Sequence, residues 1–326
     1  MKQLSCSKQE IKQITIPTPF AVGDVHTYLI LTDKVTLVDA GVKTIEAFDI
    51  FKSQLKQYGL KLMDIDQVLV THHHPDHVGL LDYLPDNIPV YGHKRAHPWM
   101  TQDMHYFSSH DSFYRELFTE MGVEERFYPV LNTVDKPLRF SCKRGLTAFV
   151  KEGDRLEGLE NWRIIETPGH ASSHLVLFDE KSGTLLGGDL ILAHISPNPL
   201  IEPPFVGETE RRKSMIDYVA SIEKMRALPI TTVRPGHGEE VGNVGKLLTE
   251  RIEQQEKRAR KVQTFVNGKA VTAFEICQHL FPKVYEKQLL LTLSETLGQI
   301  DYLLEKERIE VDASTVPYRY KSKEGL

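Results

Sequence analysis

The amino-acid sequence predicts an α/β fold followed by a small and mainly helical C-terminal region. Short β-rich runs alternate with helical patterns through two successive halves of the chain. From about Gly245 the strands give way to three helical patterns and a final pair of short β-rich runs. The 326 residues suffice for one large domain with an appendage, and they can bury a substantial core.

The first half combines apolar runs of strand length with amphipathic helices. A helix is expected over about residues 44–58, where apolar side chains recur at helical spacing. A second helix is expected to begin at Pro75, because proline is tolerated in the first turn, and to continue through Leu84. The strands predicted in this half cover residues 11–16, 26–31, 35–38 and 65–70.

Residues from about 93 to 132 interrupt the strand pattern and are predicted to form a helical insertion. Its segment 105–121 is rich in aromatic residues at helical spacing, which fits either a roof over a binding site or a cap that packs on itself. Four histidines of the insertion are spaced too loosely to predict a second metal site, namely His93, His97, His105 and His110.

The second half repeats the β pattern, and it delivers polar residues at the ends of its strands. A helix is expected over residues 211–228, before the last strand of this half. The predicted strands cover residues 162–165, 174–178, 184–186 and 230–233.

The C-terminal region has the order of elements typical of a winged helix. Helices are expected over residues 247–265, 271–280 and 285–304, and a small hairpin over 308–311 and 316–320. The sequence therefore predicts two domains, a catalytic domain over residues 1–244 and a winged-helix-like domain over residues 245–326.

Composition and charge narrow the functional classes. The formal charge of −5 provides no general attraction to polyanions, and no apolar run is long enough to span a membrane. The N-terminus lacks the features of a secretory signal, so a cytoplasmic location is expected. Three scattered cysteines without CxxC spacing are expected to be reduced thiols that bind no metal: Cys6, Cys142 and Cys277.

The segment His72-His73-His74-Pro75-Asp76-His77 carries the strongest chemical signal in the chain. It follows a buried type of strand directly, and loops at strand ends are where a rigid sheet presents functional groups. His72 and His74 are two residues apart, so in an extended segment they point the same way and can share one ion. Asp76 and His77 begin the next helix and can face a second ion. His73 points the opposite way and is expected to be structural or to line the rim of the site.

Three further potential ligands follow later strands. His170 lies after a Pro-Gly turn, Asp189 follows two glycines, and His237 lies between two glycines. Small residues at these points let the backbone approach closely while one side chain points inward. A set of nitrogen and oxygen donors without a thiolate suits Zn²⁺, and Fe²⁺ and Mn²⁺ are the alternatives.

This pattern resembles the metallo-β-lactamase superfamily over roughly residues 10 to 240. The resemblance implies a four-layer αβ/βα sandwich and a hydrolase with two metal ions. It implies that His72, His74 and His170 bind one ion, that Asp76, His77 and His237 bind the other, and that Asp189 bridges them. Two supporting residues also match, namely Asp39 in its Asp-x-Gly turn and His174.

The C-terminal region is similar to the winged-helix appendage of one subgroup, the β-lactamase-like protein 2 type, which includes proteins with endoribonuclease activity. The segments that carry this likeness are residues 195–198, 273–280 and 294–304.

The expected mechanism uses a hydroxide that bridges the two ions, since paired metals lower the pKa of a shared water toward about 7. Asp76 is the candidate catalytic residue, because it could orient this hydroxide or shuttle its proton. The favoured substrate is a small-molecule ester, thioester or lactone.

Two alternatives remain open from the sequence. The first is a metal-dependent endoribonuclease, which the basic residues near the C-terminus favour and the acidic character of helix 285–304 disfavours. The second is a DNA-binding regulator whose metal domain only senses. The C-terminal region could instead pack on the catalytic domain or form a homodimer contact.

Overall fold

A computed structural model describes residues 9–323. Cys6 and the N-terminal segment considered above therefore lie outside the described residues. The chain divides into two compact units, and neither is continuous in sequence. The first consists of the described residues up to Asp103, together with Lys136–Pro197 and Met225–Val244. The second consists of Met104–Asp135, Asn198–Lys224 and the described residues from Gly245 onward.

The first unit contains a six-stranded sheet whose strands follow chain order from one edge to the other. The first three strands pair antiparallel, and the next three join in parallel. Its strands are β1 (Glu10–Ile16), β2 (Val25–Leu31), β3 (Val35–Val38), β4 (Gln67–Leu69), β5 (Val90–Gly92) and β6 (Ala148–Phe149).

A four-stranded sheet completes the β structure of this unit, in the order β10-β9-β8-β7. Three of its strands pair antiparallel, and β10 joins β9 in parallel. The strands are β7 (Trp162–Glu166), β8 (Leu175–Asp179), β9 (Thr184–Leu186) and β10 (Thr232–Arg234).

Alternate residues of β2 serve two different cores, as the two-residue period of a strand requires. Tyr28 and Ile30 pack with Trp162 and Leu177, so one core lies between the two sheets. Leu29 belongs to the other core, which the six-stranded sheet forms with the helix over residues 45–57. Two face-to-face sheets with a helix packed on the outside confirm the predicted α/β class.

The helices agree with the predicted ones in order and type. They are α1 (Ile45–Gln57), α2 (Pro75–Val78), α3 (His97–Thr101), α4 (Met104–Ser108), α5 (His110–Met121), α6 (Ser214–Arg226), α7 (Val244–Phe265), α8 (Ala273–Leu280) and α9 (Leu289–Glu305). Thr44 caps α1 by accepting a hydrogen bond from the Ala47 amide at 3.0 Å. In the part of the chain that is described, no helix is both long and apolar enough to cross a membrane.

Helix α2 is shorter than the predicted helix, which was expected to reach Leu84. It ends at Val78, and a 3-10 helix follows over Gly79–Tyr83. The amide of Gly79 bonds to the Gly41 carbonyl at 2.7 Å, and a Cβ at Gly79 would lie 2.1 Å from the Lys43 nitrogen. The chain therefore leaves the α-helical pattern at the glycine, where it packs against the loop after β3.

The second unit has its own apolar core. Side chains of α5, including Leu117 and Phe118, pack with Val262 of α7 and Ile300 of α9. Strands β11 (Ile309–Asp312) and β12 (Arg319–Ser322) form a two-stranded antiparallel sheet. Three helices and a hairpin thus follow one another as predicted, while the assignment of this region to the winged-helix class stays a prediction.

Candidate metal centre

The segment after β4 presents its polar side chains where the strand ends, in the first unit. His72 and His77 are completely buried, and Asp76 is nearly so. His74 is the N-cap of α2, and its extended backbone lets Pro75 occupy the first helical position. The short helix then carries Asp76 and His77 in its first turns, as the sequence predicted.

One group of donors consists of three histidines. The Nδ1 atom of His74 lies 3.0 Å from Nε2 of His72 and 3.0 Å from Nε2 of His170. The Thr71 hydroxyl donates to Asp39 and therefore accepts from Nδ1 of His72, at 3.0 Å. This arrangement places the ring proton of His72 on Nδ1 and turns the lone pair of its Nε2 toward the other two rings.

The second group consists of Asp76, His77 and His237. Nε2 of His237 lies 3.3 Å from Oδ2 of Asp76. Nδ1 of His237 donates to the Asp24 carbonyl at 2.7 Å, so its Nε2 is the atom left for a ligand. All three residues are buried.

Asp189 lies between the two groups. Its Oδ2 atom is 3.5 Å from Nε2 of His170 in the first group and 3.5 Å from Nε2 of His237 in the second. Its Oδ1 atom is 3.4 Å from Nε2 of His77. The structure therefore brings all seven predicted residues together, with one carboxylate next to both groups.

Asp39 stabilises the centre through hydrogen bonds to Thr71 and His77, in agreement with the supporting role that the family resemblance implied. Its carboxylate accepts hydrogen bonds from the amide and the hydroxyl of Thr71, both at 2.7 Å, and from Nδ1 of His77 at 2.8 Å. The backbone of Asp39 has a φ of +62°, a conformation that costs free energy for a residue with a side chain. These hydrogen bonds offset that cost, and they leave Nε2 of His77 as the ring nitrogen available to a ligand.

His174, the other predicted supporting residue, holds Asp189 in place through the backbone. Its Nε2 atom accepts a hydrogen bond from the Asp189 amide at 3.1 Å, so its Nδ1 donates to the Thr167 hydroxyl at 2.8 Å. Burial lowers the pKa of His174 to about 3, which keeps the ring neutral and able to accept this bond.

Burial and neighbouring charges shift the pKa values of His72 and His74 in one direction and that of His77 in the other. Burial lowers the pKa values of His72 and His74 well below the usual range, and the neighbouring imidazoles lower them further. Burial acts in the same direction on His77, but the carboxylates of Asp189 and Asp39 outweigh it and raise the pKa of His77. The second group therefore has a strong electrostatic preference for positive charge.

The donor set fits divalent metal ions. Within residues 9–323, three buried atoms of the centre have no hydrogen-bond partner, namely Nε2 of His77, Oδ1 of Asp189 and Nε2 of His237. Buried polar atoms are normally satisfied, so atoms like these at a functional site call for a ligand. Each of the two predicted ligand groups has donor atoms within 4.8 Å of one another. Imidazole nitrogens and carboxylate oxygens are ligands that Zn²⁺, Fe²⁺ and Mn²⁺ accept.

Other contacts near the centre involve residues outside the predicted ligand set. His73 is buried, stacks on Trp99 with ring centroids 4.5 Å apart, and makes a 2.8 Å hydrogen bond to the Ser173 hydroxyl. It thus faces away from the ligand groups, as its alternation along the extended segment predicted. The contacts of His26 and Tyr28 with the loop that carries His237 were not predicted, because neither residue belongs to a motif.

Comparison with known proteins points to one family. The family model described as the metallo-beta-lactamase superfamily matches residues 21–237. A Bacillus subtilis (strain 168) protein named "Probable metallo-hydrolase YqjP" is 44% identical over 92% of this chain and 94% of its own length. A Caenorhabditis elegans protein named "Beta-lactamase-like protein 2 homolog" is 26% identical over 81% of this chain and 73% of its own.

A solved structure extends this likeness to the fold. The crystal structure of a metallo-beta-lactamase family protein from Thermus thermophilus superposes with a TM-score of 0.79 at 26% identity. The match covers 96% of this chain and 98% of that one, so it includes the helical C-terminal region as well as both sheets.

Proposed function

Since the chain belongs to the metallo-beta-lactamase superfamily, we propose that it is a metal-dependent hydrolase that cleaves a small-molecule ester, thioester or lactone. The observation that carries this proposal is the position of Asp189, whose Oδ2 atom lies 3.5 Å from a ligand nitrogen of each group. A carboxylate so placed can hold two cations side by side, which is the arrangement that two-metal hydrolases use.

His72, His74 and His170 would hold one ion, Asp76, His77 and His237 the other, and Asp189 both. When bound, a pair of divalent ions lowers the pKa of a water molecule and polarises the oxygen of the bond that is cleaved. Zinc is the proposed metal, because each group offers only a few imidazole and carboxylate donors, which suits the low coordination number of zinc. Buried hydrogen bonds also orient these donors, as is usual at zinc sites. Iron(II) and manganese(II) are the alternatives that the same donors accept.

The chain's own residues supply orientation and proton transfer. Asp76 is the proposed catalytic residue, and its carboxylate would take the proton of the attacking water. Asp39 fixes the ring of His77, and His174 fixes the backbone of Asp189, so the ligand atoms are held before a substrate arrives.

The second unit favours a small molecule over a nucleic acid as the substrate. If the second unit were a winged helix, α9 would be the helix that enters a groove of DNA or RNA. Twelve of its 17 residues are buried, and it contains no lysine or arginine. A helix that reads nucleic acid needs an exposed basic face, because phosphate contacts dominate such binding.

Several basic residues of this unit are also engaged with acids. Arg308 and Arg260 both contact Glu256, and Lys321 forms an ion pair with Glu310 at 2.9 Å. These neighbouring acids reduce the local positive potential that a phosphate backbone would need.

An endoribonuclease is the second candidate. The relative from Caenorhabditis elegans is named as a homologue of beta-lactamase-like protein 2, the type whose resemblance raised this alternative. A regulator that senses metal is a third, weaker candidate, and the buried α9 counts against it for the same reason as against the nuclease.

The test is to measure metal content and hydrolysis in parallel on the purified protein. Metal would be counted per chain, and thioesters, lactones, aryl esters, phosphodiesters and single-stranded RNA would be offered. We expect about two ions per chain and turnover of an acyl substrate, lost in His72→Ala and Asp189→Ala. The exposed His105 provides a control. His105→Ala should retain both the metal ions and the turnover of the acyl substrate.

Each contrary result has a defined meaning. Two ions with cleavage of RNA alone would replace the proposal by the endoribonuclease. Binding of duplex DNA at low salt without any hydrolysis would favour the regulator. Failure to bind metal under any loading condition would overturn the proposal altogether.

A further inference from the structure

The N-terminal half of β2 holds the loop that carries His237. The contacts run along the whole loop of residues 235–238. The Tyr28 hydroxyl donates to the Pro235 carbonyl at 2.7 Å, and the His26 amide donates to the Gly236 carbonyl at 2.7 Å. Nε2 of His26 donates to the Gly238 carbonyl at 2.9 Å. Each of these carbonyls therefore has a partner on the same strand.

The geometry points to a specific role for two side chains: we infer that Tyr28 and His26 are positioning residues that set the place and orientation of the ligand His237. This inference rests on the proposed function, because it assigns the two side chains to one half of a two-metal centre. They act through the loop backbone and do not contact a ligand atom of the centre themselves.

The spacing along the strand explains how two side chains can do this together. His26 and Tyr28 are two residues apart in β2, so they lie on the same face, about 7 Å from one another along the strand. That distance suits the carbonyls of Pro235 and Gly238, which lie on either side of His237. The Val25 backbone also bridges to His237 in antiparallel fashion, which aligns the loop with the strand.

The tautomer of His26 is fixed by its partners. A carbonyl oxygen can only accept, so Nε2 of His26 must carry the proton that it gives to Gly238. Nδ1 then accepts from the Thr15 hydroxyl at 3.1 Å on neighbouring β1. The ring is thus held from both sides, and it cannot rotate without losing one of these hydrogen bonds.

The loop is closely packed against the centre at Gly236. The amide of Gly236 donates to the Gly188 carbonyl at 2.7 Å, and a Cβ at Gly236 would lie only 2.3 Å from Oδ1 of Asp189. A small shift of this loop would therefore change the position of His237 relative to Asp76 and Asp189. Because His72, His74 and His170 lie on other loops, such a shift would affect one half of the centre and spare the other.

The expected consequence is a selective loss of affinity. Removal of a residue that supports a metal ligand typically weakens metal binding by about 10- to 100-fold. We expect Tyr28→Phe to weaken the binding of one metal ion by this factor and to leave the other within about threefold of its normal affinity. A general loosening of the fold would weaken both ions together.

The chain provides a matched control. The Tyr58 hydroxyl also donates to a backbone carbonyl, that of Gln13, at 2.7 Å. Tyr58→Phe removes the same kind of hydrogen bond from the same unit, but Gln13 belongs to β1 and not to a loop that carries a ligand. We expect Tyr58→Phe to bind both metal ions normally.

The experiment is a stepwise titration of the full-length apoprotein with Zn²⁺ against a competing chelator, followed by the visible spectrum of the Co²⁺-loaded protein. In wild type, two binding steps should be resolved. In Tyr28→Phe, one step should weaken and only part of the Co²⁺ absorption should change. Thermal unfolding of each variant would show that the fold is retained.

A second pair of variants keeps the inference testable if Tyr28→Phe is poorly folded. His26→Gln retains a side-chain N–H that can reach the Gly238 carbonyl, whereas His26→Ala does not. We expect the Gln variant to recover most of the affinity that the Ala variant loses at the same step.

The outcomes separate this inference from the proposed function. Two normal binding steps in Tyr28→Phe and His26→Ala would overturn the inference and leave the proposed function intact, as would an equal weakening of both steps. Absence of metal binding in wild type would overturn both.

Discussion

Gly236 is the position where a single methyl group should disable the proposed centre. A Cβ on this residue would lie 2.3 Å from Oδ1 of Asp189 and 2.9 Å from Cε1 of His77. Ordinary contacts of a Cβ begin at about 3.4 Å, so the carboxylate and the loop must separate by about 1 Å. The φ angle of Gly236 is not in the left-handed region, and the expected effect of Gly236→Ala is therefore one of space alone.

The structure indicates how large the effect should be. Asp189 has no free direction in which to retreat, because its amide is bonded to His174 and its oxygens face the two ligand groups. A misplacement of about 1 Å in a reacting geometry costs about 100-fold in rate. Overpacking of a buried site costs about 1–3 kcal/mol of stability in addition. We expect Gly236→Ala to lose at least one metal ion per chain and at least about 100-fold in hydrolysis.

The assay is metal content per chain together with the hydrolysis rate, with Gly242→Ala as the control. A Cβ at Gly242 would have no heavy atom within 4 Å, so the same substitution there should change neither quantity. If Gly236→Ala retained two ions and a normal rate, the assignment of Asp189 as the bridging ligand would be wrong.

Three further predictions concern stability. The Arg144 guanidinium donates to five backbone carbonyls within residues 81–88, so Arg144→Met should lower the free energy of unfolding by about 3 kcal/mol, measured by urea denaturation. Burial lowers the pKa of His110 from 6.5 to about 4. Between about pH 6.5 and about pH 4 this histidine is therefore protonated in the unfolded chain but neutral in the folded one. The free energy of unfolding should fall by up to about 3 kcal/mol as the pH drops through this range. His110→Phe should remove this pH dependence, measured as the difference between the urea midpoints at about pH 7 and about pH 4.5. If that difference were the same in the variant as in wild type, the reasoning would be contradicted. Thr272 caps α8 by accepting from the Glu275 amide, so Thr272→Ala should cost about 1 kcal/mol in thermal unfolding and Thr272→Ser should restore it.

The candidate ligand residues could be predicted from the sequence because they lie in segments that follow apolar strands. The strand pattern predicts where the chain leaves the sheet, and the prediction depends on several histidines and aspartates lying at such points together, since a single one is more often structural. The resemblance to a family then grouped the residues, and the distances around Asp189 agree with that grouping. Asp39 and His174 could be predicted from the family resemblance alone, since both lie within motifs that match the family.

The residues that contact the loop carrying His237 could not be predicted in the same way. His26 and Tyr28 are separated from His237 by more than 200 positions, and their contacts are with backbone carbonyls, which leave no trace in residue identity. Strands β5 and β6, which have three and two residues, were also missed. The end of α2 at Val78 depends on the close approach of another loop, which local sequence does not encode.

The second unit has a consequence for synthesis on the ribosome, because its segments are far apart in the chain. Leu117 and Phe118 of α5 are buried against Val262 of α7 and Ile300 of α9. Helix α7 begins 123 positions after α5 ends at Met121, which takes about 6–25 s at ordinary rates of translation. During that interval the apolar face of α5 lacks its final partners. A nascent chain that stalls before Val244 therefore exposes this apolar face, whereas a chain synthesised through β12 contains every segment of the core.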